Sequence, residues 1–280
     1  MTTAFKITVA YDGTGYVGWQ RQASGVSIQG LLEDALRELD GRDVPVAGAG
    51  RTDAGVHAFG QVASFNLERE MAPPVLLRAV NARLPPTVRV IAAQHAPADF
   101  HARFGARSKT YRYRLWKGDT GNPFERQYAW HVAGQLDVDR MAQAARLVEG
   151  RHDFAAFQTA GSEPQTTDRE VLSSRIISKL GTTEDTDAQT DTQTGFSLRV
   201  LRFLGGGDLI QYEITGDGFL RHMVRAIVGT LVEIGRGSRP TTFMQEVIQS
   251  RNRALAGPTA PPEGLFLVSV AYDGTLAAER

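Results

Sequence analysis

Apolar and polar residues alternate over residues 5–11, where Ile, Thr and Val dominate, and that period of two predicts a half-buried strand. Asp12-Gly13-Thr14-Gly15 then reads as a turn. The period next lengthens. Ile28, Leu31, Leu32, Ala35, Leu36 and Leu39 recur at helical spacing, with Ser27 as N-cap and Gly41 as the stop. Residues 44–49 and 60–67 predict two strands, and Pro73 and Pro74 open a helix running to about Arg83. A strand over 88–94 closes the unit. The order β-α-β-β-α-β is the ferredoxin-like arrangement.

The rest of the chain can be read the same way. Strands are predicted over 109–116, 171–179, 209–215 and 265–272, and helices over 138–148 (ending at Gly150), 219–234 and 242–248. The helix over 219–234 is strongly amphipathic, with Met223, Ile227, Val228, Leu231 and Ile234 on one side. Two lobes of one pattern follow, residues 1–105 and 106–280, with the boundary in 97–106. The polar stretch between Gly181 and Gly195 has no aromatic residue and is expected to be a solvated hairpin tip or insertion. The hexapeptide that begins at Val9 recurs from Val270; one short match carries no function.

A chain of 280 residues suits about two lobes at the usual ~150 residues per domain. It has no run of about 18 apolar residues, so no membrane span is expected. Residues 1–6 lack the apolar core of a signal peptide, which points to a cytoplasmic protein. With no cysteine, disulfides, thiolate metal sites and a cysteine nucleophile are excluded. The formal net charge is zero, which argues against a uniformly basic surface. Of the 31 basic residues, however, 27 are Arg. Arginine suits planar contact with phosphate or a base; a high-GC codon bias would produce the same total. The stretch from Arg103 to Lys117 holds six cations and no acid, interleaved with aromatic residues, which codon bias does not explain.

Gly13-Thr14-Gly15-Tyr16-Val17-Gly18 spells a dinucleotide fingerprint, but the helix waits until Ile28 instead of opening inside the motif, so it reads as a turn. Gly48-Ala49-Gly50-Arg51-Thr52-Asp53-Ala54-Gly55-Val56-His57-Ala58 is more informative. One glycine-lined loop holds a guanidinium, a hydroxyl, a carboxylate and an imidazole, with small neighbours that let a large ligand reach Asp53. On the residues alone, a reading in which Asp53 caps a turn and His57 is a satisfied, semi-buried histidine stands about equal to the functional one. On the strand over 109–114, Tyr111 and Tyr113 share one face and Arg112 and Arg114 the other. That pattern suits unstacked RNA bases, or core tyrosines under a solvated arginine face. Arg221 and Arg225 lie one helical turn apart, beside His222; both exposed, or one paired with a carboxylate at the apolar border, are open readings. No zincin, serine-hydrolase elbow or Walker sequence occurs, and no metal-ligand spacing.

Several of these strings together resemble the tRNA pseudouridine synthase A family. They are the loop from Gly50 to His57, Tyr11-Asp12-Gly13 with Gly18-Trp19-Gln20-Arg21-Gln22, Asn81-Ala82-Arg83-Leu84-Pro85, and Asp99-Phe100-His101-Ala102-Arg103-Phe104. Tyr111-Arg112-Tyr113, His222-Met223-Val224-Arg225 with Val228-Gly229, and Glu263-Gly264-Leu265 extend the resemblance over nearly the whole chain. It implies an α+β fold: two ferredoxin-like halves sharing a mixed, mainly antiparallel sheet, flanked by helices around a central cleft. It implies isomerisation of uridine to pseudouridine at positions 38, 39 and 40 of the tRNA anticodon stem-loop, without cofactor or metal. By the same resemblance Asp53 is the essential carboxylate, as nucleophile or as stabiliser of the detached sugar. Arg225 is its partner. Tyr111 stacks on the flipped base and offers a proton acceptor for the sugar. Arg51 fills the gap left in the stack, and Leu265 lines the apolar side. Arg21, Arg103 and Arg112 are the phosphate-contact candidates. The partners implied are tRNA and a second copy of the chain in a homodimer. Two features depart from the family pattern: the long 181–195 stretch, and Arg221 where relatives often carry histidine.

Overall fold

Ten strands and five α-helices make up the computed structural model, which describes residues 2–159, 166–180 and 207–273. The first half runs β1 (Thr3–Tyr11), α1 (Ile28–Asp40), β2 (Ala47–Gly48), β3 (His57–Leu67), α2 (Pro73–Asn81) and β4 (Val88–His95). The second runs β5 (Ala106–Lys117), β6 (Trp130–Val132), α3 (Val138–Arg146), β7 (Gly150–Asp153) and β8 (Asp168–Leu180). It continues with β9 (Asp208–Gly216), α4 (Met223–Gly235), α5 (Phe243–Ser250) and β10 (Leu265–Tyr272). No helix among the described residues is long and apolar enough to cross a membrane.

All ten strands join one sheet, ordered β4-β1-β3-β10-β5-β9-β8-β7, with β2 beside β3 and β6 beside β5. Every pairing is antiparallel except β10 with β3 and β6 with β5. The fold is thus α+β with a mixed, mainly antiparallel sheet. β10 is the seam. Phe266 and Leu267 pair with His57 and Ala58 of β3 on one side, and Leu265 and Leu267 with Tyr113 and Tyr111 of β5 on the other. The end of the loop carrying Asp53 is thereby fixed two strands from the Tyr111 strand.

The alternation read in the sequence separates the two faces of the sheet. Phe5, Ile7, Val9 and Tyr11, with Tyr111, Tyr113 and Leu115 and with Ile210, Tyr212 and Ile214, all enter one core with Leu32 and Leu36 of α1 and Ile227 and Leu231 of α4. An antiparallel sheet can leave its other face to water. Lys6, Thr8, Arg112, Arg114, Gln211 and Glu213 fall on the alternate positions, outside that core. The ends of α1 follow from its caps. The Ser27 side chain accepts from the Gly30 N–H, and Gly41, at φ 75°, turns the chain left-handed while its N–H bonds to Arg37.

The structure departs from the sequence reading at element ends. Val44 and Val46 are buried, but only Ala47 and Gly48 pair with β3, so the strand expected over 44–49 shrinks to two residues. The helix expected from Phe219 starts at Met223, because His222 takes φ 63° and breaks the helical path while Phe219 packs edge-on against Tyr111. β6 and β7 are too short to show a period of their own. The polar 181–195 stretch and the last two residues of the second hexapeptide lie outside the described residues.

Candidate active site

Two glycine turns build the loop that carries Asp53. A Cβ on Gly13 would sit 2.1 Å from the Val56 carbonyl oxygen, and one on Gly18 2.5 Å from the Thr52 carbonyl oxygen. Only hydrogen fits at either position. Gly18 also needs φ 105°, open to glycine and strained for other residues. The Trp19 N–H donates to the Thr52 carbonyl at 3.0 Å, the Gly55 N–H to Tyr16 at 3.3 Å, and the Val56 N–H back to Asp53 at 3.1 Å. The Tyr11 hydroxyl bonds Thr52 at 2.9 Å. The glycine fingerprint at 13–18 therefore cradles a backbone, not a phosphate.

His57 is a clamp. It is 1 % exposed, stacks on Phe266 at 4.6 Å, and its Nδ1 accepts the Gly13 N–H at 3.0 Å. The same Nδ1 also lies 3.2 Å from Asp12 Oδ1, and Nε2 is buried with no partner among the described residues. Burial pushes its pKa below the ordinary histidine value, against the pull of Asp12. Asp12 lies 3.2 Å away and also accepts from the Tyr128 hydroxyl at 2.8 Å. The structure makes His57 a buried packing residue, but not a fully satisfied one, since Nε2 has no partner among the described residues.

Asp53 is presented, not buried: its side chain is 27 % exposed. Arg225 Nη1 donates to its Oδ2 at 3.3 Å, and His222 Nε2 lies 3.3 Å from the same oxygen. Arg225 is fixed in turn, with Nε donating to the Ala260 carbonyl at 2.6 Å and its own carbonyl accepting from the Ala260 N–H at 3.1 Å. Asp53 is thus held across 172 positions of sequence by the start of α4. Among the described residues Oδ1 has no partner.

Tyr111 closes the site from β5. The sequence has seven tyrosines. Those at 11, 16, 113, 128, 212 and 272 all bond through their hydroxyls to a side chain or carbonyl. Tyr111, 7 % exposed, bonds through its hydroxyl to none among the described residues. Burial raises its pKa well above the ordinary phenol, and Tyr11 and then Asp53 push the same way. The phenol therefore keeps its proton at neutral pH.

The remaining expected residues divide. Leu265 is 5 % exposed, opens β10 opposite Tyr113, and follows the turn Pro262–Gly264 that packs on Gly55. Arg51 is exposed and has no ion pair among the described residues. Arg103 is exposed beside Phe104. Arg21 is held by Glu33 and Asp34 at 3.2 and 3.3 Å. Arg112 bonds Glu213 at 2.9 Å on the sheet face away from Tyr111, so the structure does not bring it to Asp53. The sequence reading left out Lys109. Its stem lies against Gly50, and no carboxylate among the described residues comes within ion-pair distance. Burial and then Arg103 lower its pKa, with Asp217 opposing. It also left out the role of His222, whose only signal was its place three residues before Arg225. No group of three or more His, Asp or Glu among the described residues could hold a metal ion.

Known proteins resemble this chain over most of its length. A family model described as tRNA pseudouridine synthase matches residues 7–105 and 144–273. The tRNA pseudouridine synthase A of Myxococcus xanthus is 43% identical over 267 residues, covering 95% of this chain and 91% of that protein. Those of Syntrophotalea carbinolica and Ralstonia nicotianae are 40% and 41% identical, covering 95% and 96% of this chain and 95% and 90% of theirs. The chain is therefore an isomerase of the pseudouridine synthase class. It belongs to the tRNA pseudouridine synthase A family.

Proposed function

We propose that this protein converts uridine to pseudouridine at positions 38, 39 and 40 of the tRNA anticodon stem-loop, with Asp53 in the essential role. The observation that carries the reading is the half-exposed Asp53 carboxylate. Arg225 and His222 lie on one of its oxygens, and Tyr111, whose hydroxyl has no partner among the described residues, stands within electrostatic reach. The C1′–N1 bond breaks, the base turns, C5 bonds to C1′, and the C5 proton leaves as N1 gains one. Oxidation state is unchanged, so nothing need be consumed. Asp53 serves as nucleophile at C1′ or as stabiliser of the electron-poor sugar; both roles need a negative oxygen close to the ring. The duplex must release the nucleotide first.

In this reading residues 1–105 present the carboxylate and residues 106–280 supply the wall. Tyr111 stacks on the base, Leu265 covers its apolar side, and Arg51, projecting beside Asp53, fills the vacated place in the stack. Arg103 takes a backbone phosphate, as would Arg21 and Arg112 if they gave up their carboxylates. Two copies of the chain act on one tRNA as a homodimer, which gathers more cationic surface than one neutral chain offers. Tritium release from tRNA labelled with [5-³H]uridine tests the reaction. Wild type should release label and Asp53→Ala should not; equal release would overturn the assignment. Mapping pseudouridine in tRNA from cells lacking the protein tests the positions, and loss outside 38–40 would overturn that part.

A further inference from the structure

His222 occupies a place that the proposed chemistry leaves unexplained. It is one of only two non-glycine residues with positive φ among those described, at 63°. That conformation is strained for an ordinary side chain, so the surroundings hold it there. Its two ring nitrogens face opposite ways. Nδ1 is 2.6 Å from the Thr159 hydroxyl, and Nε2 is 3.3 Å from Asp53 Oδ2. The Thr159 N–H reaches the Arg221 carbonyl at 3.4 Å, so the 155–159 segment is docked on the turn that carries His222. A hydroxyl that donates to Nδ1 fixes the neutral tautomer with its proton on Nε2, facing the carboxylate. The other charged groups acting on the ring are Arg221 before it, Arg225 on α4 and Arg253 after α5.

We infer that His222, set by Thr159, is a positioning residue. With Arg225 it anchors one oxygen of Asp53 and leaves the other, Oδ1, free to meet the reacting sugar. The inference rests on the functional reading above. It has a consequence for pH. If the ring gains a proton, two cations share Oδ2, the carboxylate is drawn toward α4, and the Thr159 hydroxyl loses its acceptor. Turnover should then fall on the acid side. Burial lowers the ring's pKa most, Asp53 next raises it, and Arg225, Arg221 and Arg253 lower it further, with a net shift downward. The acid limb should therefore lie below the ordinary histidine value of ~6.5.

Two measurements on the full chain test this. In ¹⁵N-histidine NMR, His222 should show the Nε2-protonated tautomer, and Asp53→Asn should lower its titration midpoint. A ring whose shifts ignore Asp53→Asn would overturn the inference. In kinetics, His222→Asn keeps a side chain that tolerates the left-handed backbone but does not span the distance. It should lower kcat about tenfold, the scale of one contact to a charged group, with KM for tRNA nearly unchanged, and should abolish or move the acid limb. Thr159→Val, which leaves the backbone alone, should lower kcat in the same direction by a smaller factor. An unmoved acid limb with full kcat in both variants would overturn the inference. The NMR arm needs no turnover, so a wild type that releases no tritium counts against the functional reading, and an indifferent ring against this one.

Discussion

Two glycine loops follow or precede strands in the first half of this chain, and they do opposite things. The loop at 12–18 turns its glycines toward its own protein: Gly13 and Gly18 lie against the carbonyls of Val56 and Thr52. Its polar groups are consumed internally, with Asp12 bonded to Thr14 and Tyr128 and lying against His57. The loop at 48–55 receives that contact, packs Gly48 under Trp19 and Gly55 on Pro262, and still presents Asp53 with one oxygen unpartnered among the described residues. Glycine in both cases means close approach. Position decides what approaches. The first loop is covered by the second, whereas the second opens at the seam where β3, β10 and β5 meet.

That contrast can be broken by substitution. The largest effect belongs to the open loop: Asp53→Asn should lower tritium release about a thousandfold, ~4 kcal/mol of barrier, with little change in thermal midpoint. A large loss of stability would instead make Asp53 a structural brace. The covered loop should behave the other way. Gly13→Ala forces a Cβ onto the Val56 carbonyl and should cost about 3 kcal/mol of stability, the upper end for overpacking, by urea denaturation. Gly15, two residues on, has φ 80° but nothing within 4 Å of a Cβ. Gly15→Ala should then cost only about 1 kcal/mol, and equal costs at 13 and 15 would refute the packing account.

The tyrosine pair sharpens the same distinction. Tyr113 donates to the Pro261 carbonyl at 2.7 Å, so Tyr113→Phe should lose about 1 kcal/mol of stability. Tyr111→Phe should leave stability alone and alter turnover; wild-type turnover would limit Tyr111 to stacking. The smallest effect concerns His57. Its folded pKa lies below its unfolded value, so the unfolded chain binds more protons between the two. Stability should be full above pH ~6.5 and decline as pH falls toward the folded pKa, by roughly 1 kcal/mol or less. A urea midpoint flat from pH 7 to 5 would contradict a buried neutral ring.

Much of the fold was legible because the sheet is covered on one side. Alternation in β1 marked its core residues, the period of two placed Tyr111 and Tyr113 of β5 on one face, and Ser27 and Gly41 marked both ends of α1. The failures share a cause. Val44 and Val46 are apolar and buried without pairing, and residues 219–222 are spaced like a helix without being one. Periodicity reports burial, and burial does not require a ladder or a helical backbone. In the candidate site the loop around Asp53 stood out by composition. Tyr113 and Tyr111 could not be told apart, because what separates them is a carbonyl 148 positions away.

What the sequence determined by itself is local. It set the strand and helix patterns, the need for glycine at two turns, a carboxylate in a loop lined with small residues, and a string of motifs that marks the family. The tertiary structure decided which polar groups are used up. Arg112 and Arg225 look alike in sequence, yet one is tied to Glu213 on the open face and the other reaches Asp53. His57 and His222 likewise divide: one is walled in beside Asp12, and the other reaches Asp53. A charge or hydroxyl is available for chemistry only where the fold has not already given it a partner, and partners here come from 100 or more positions away.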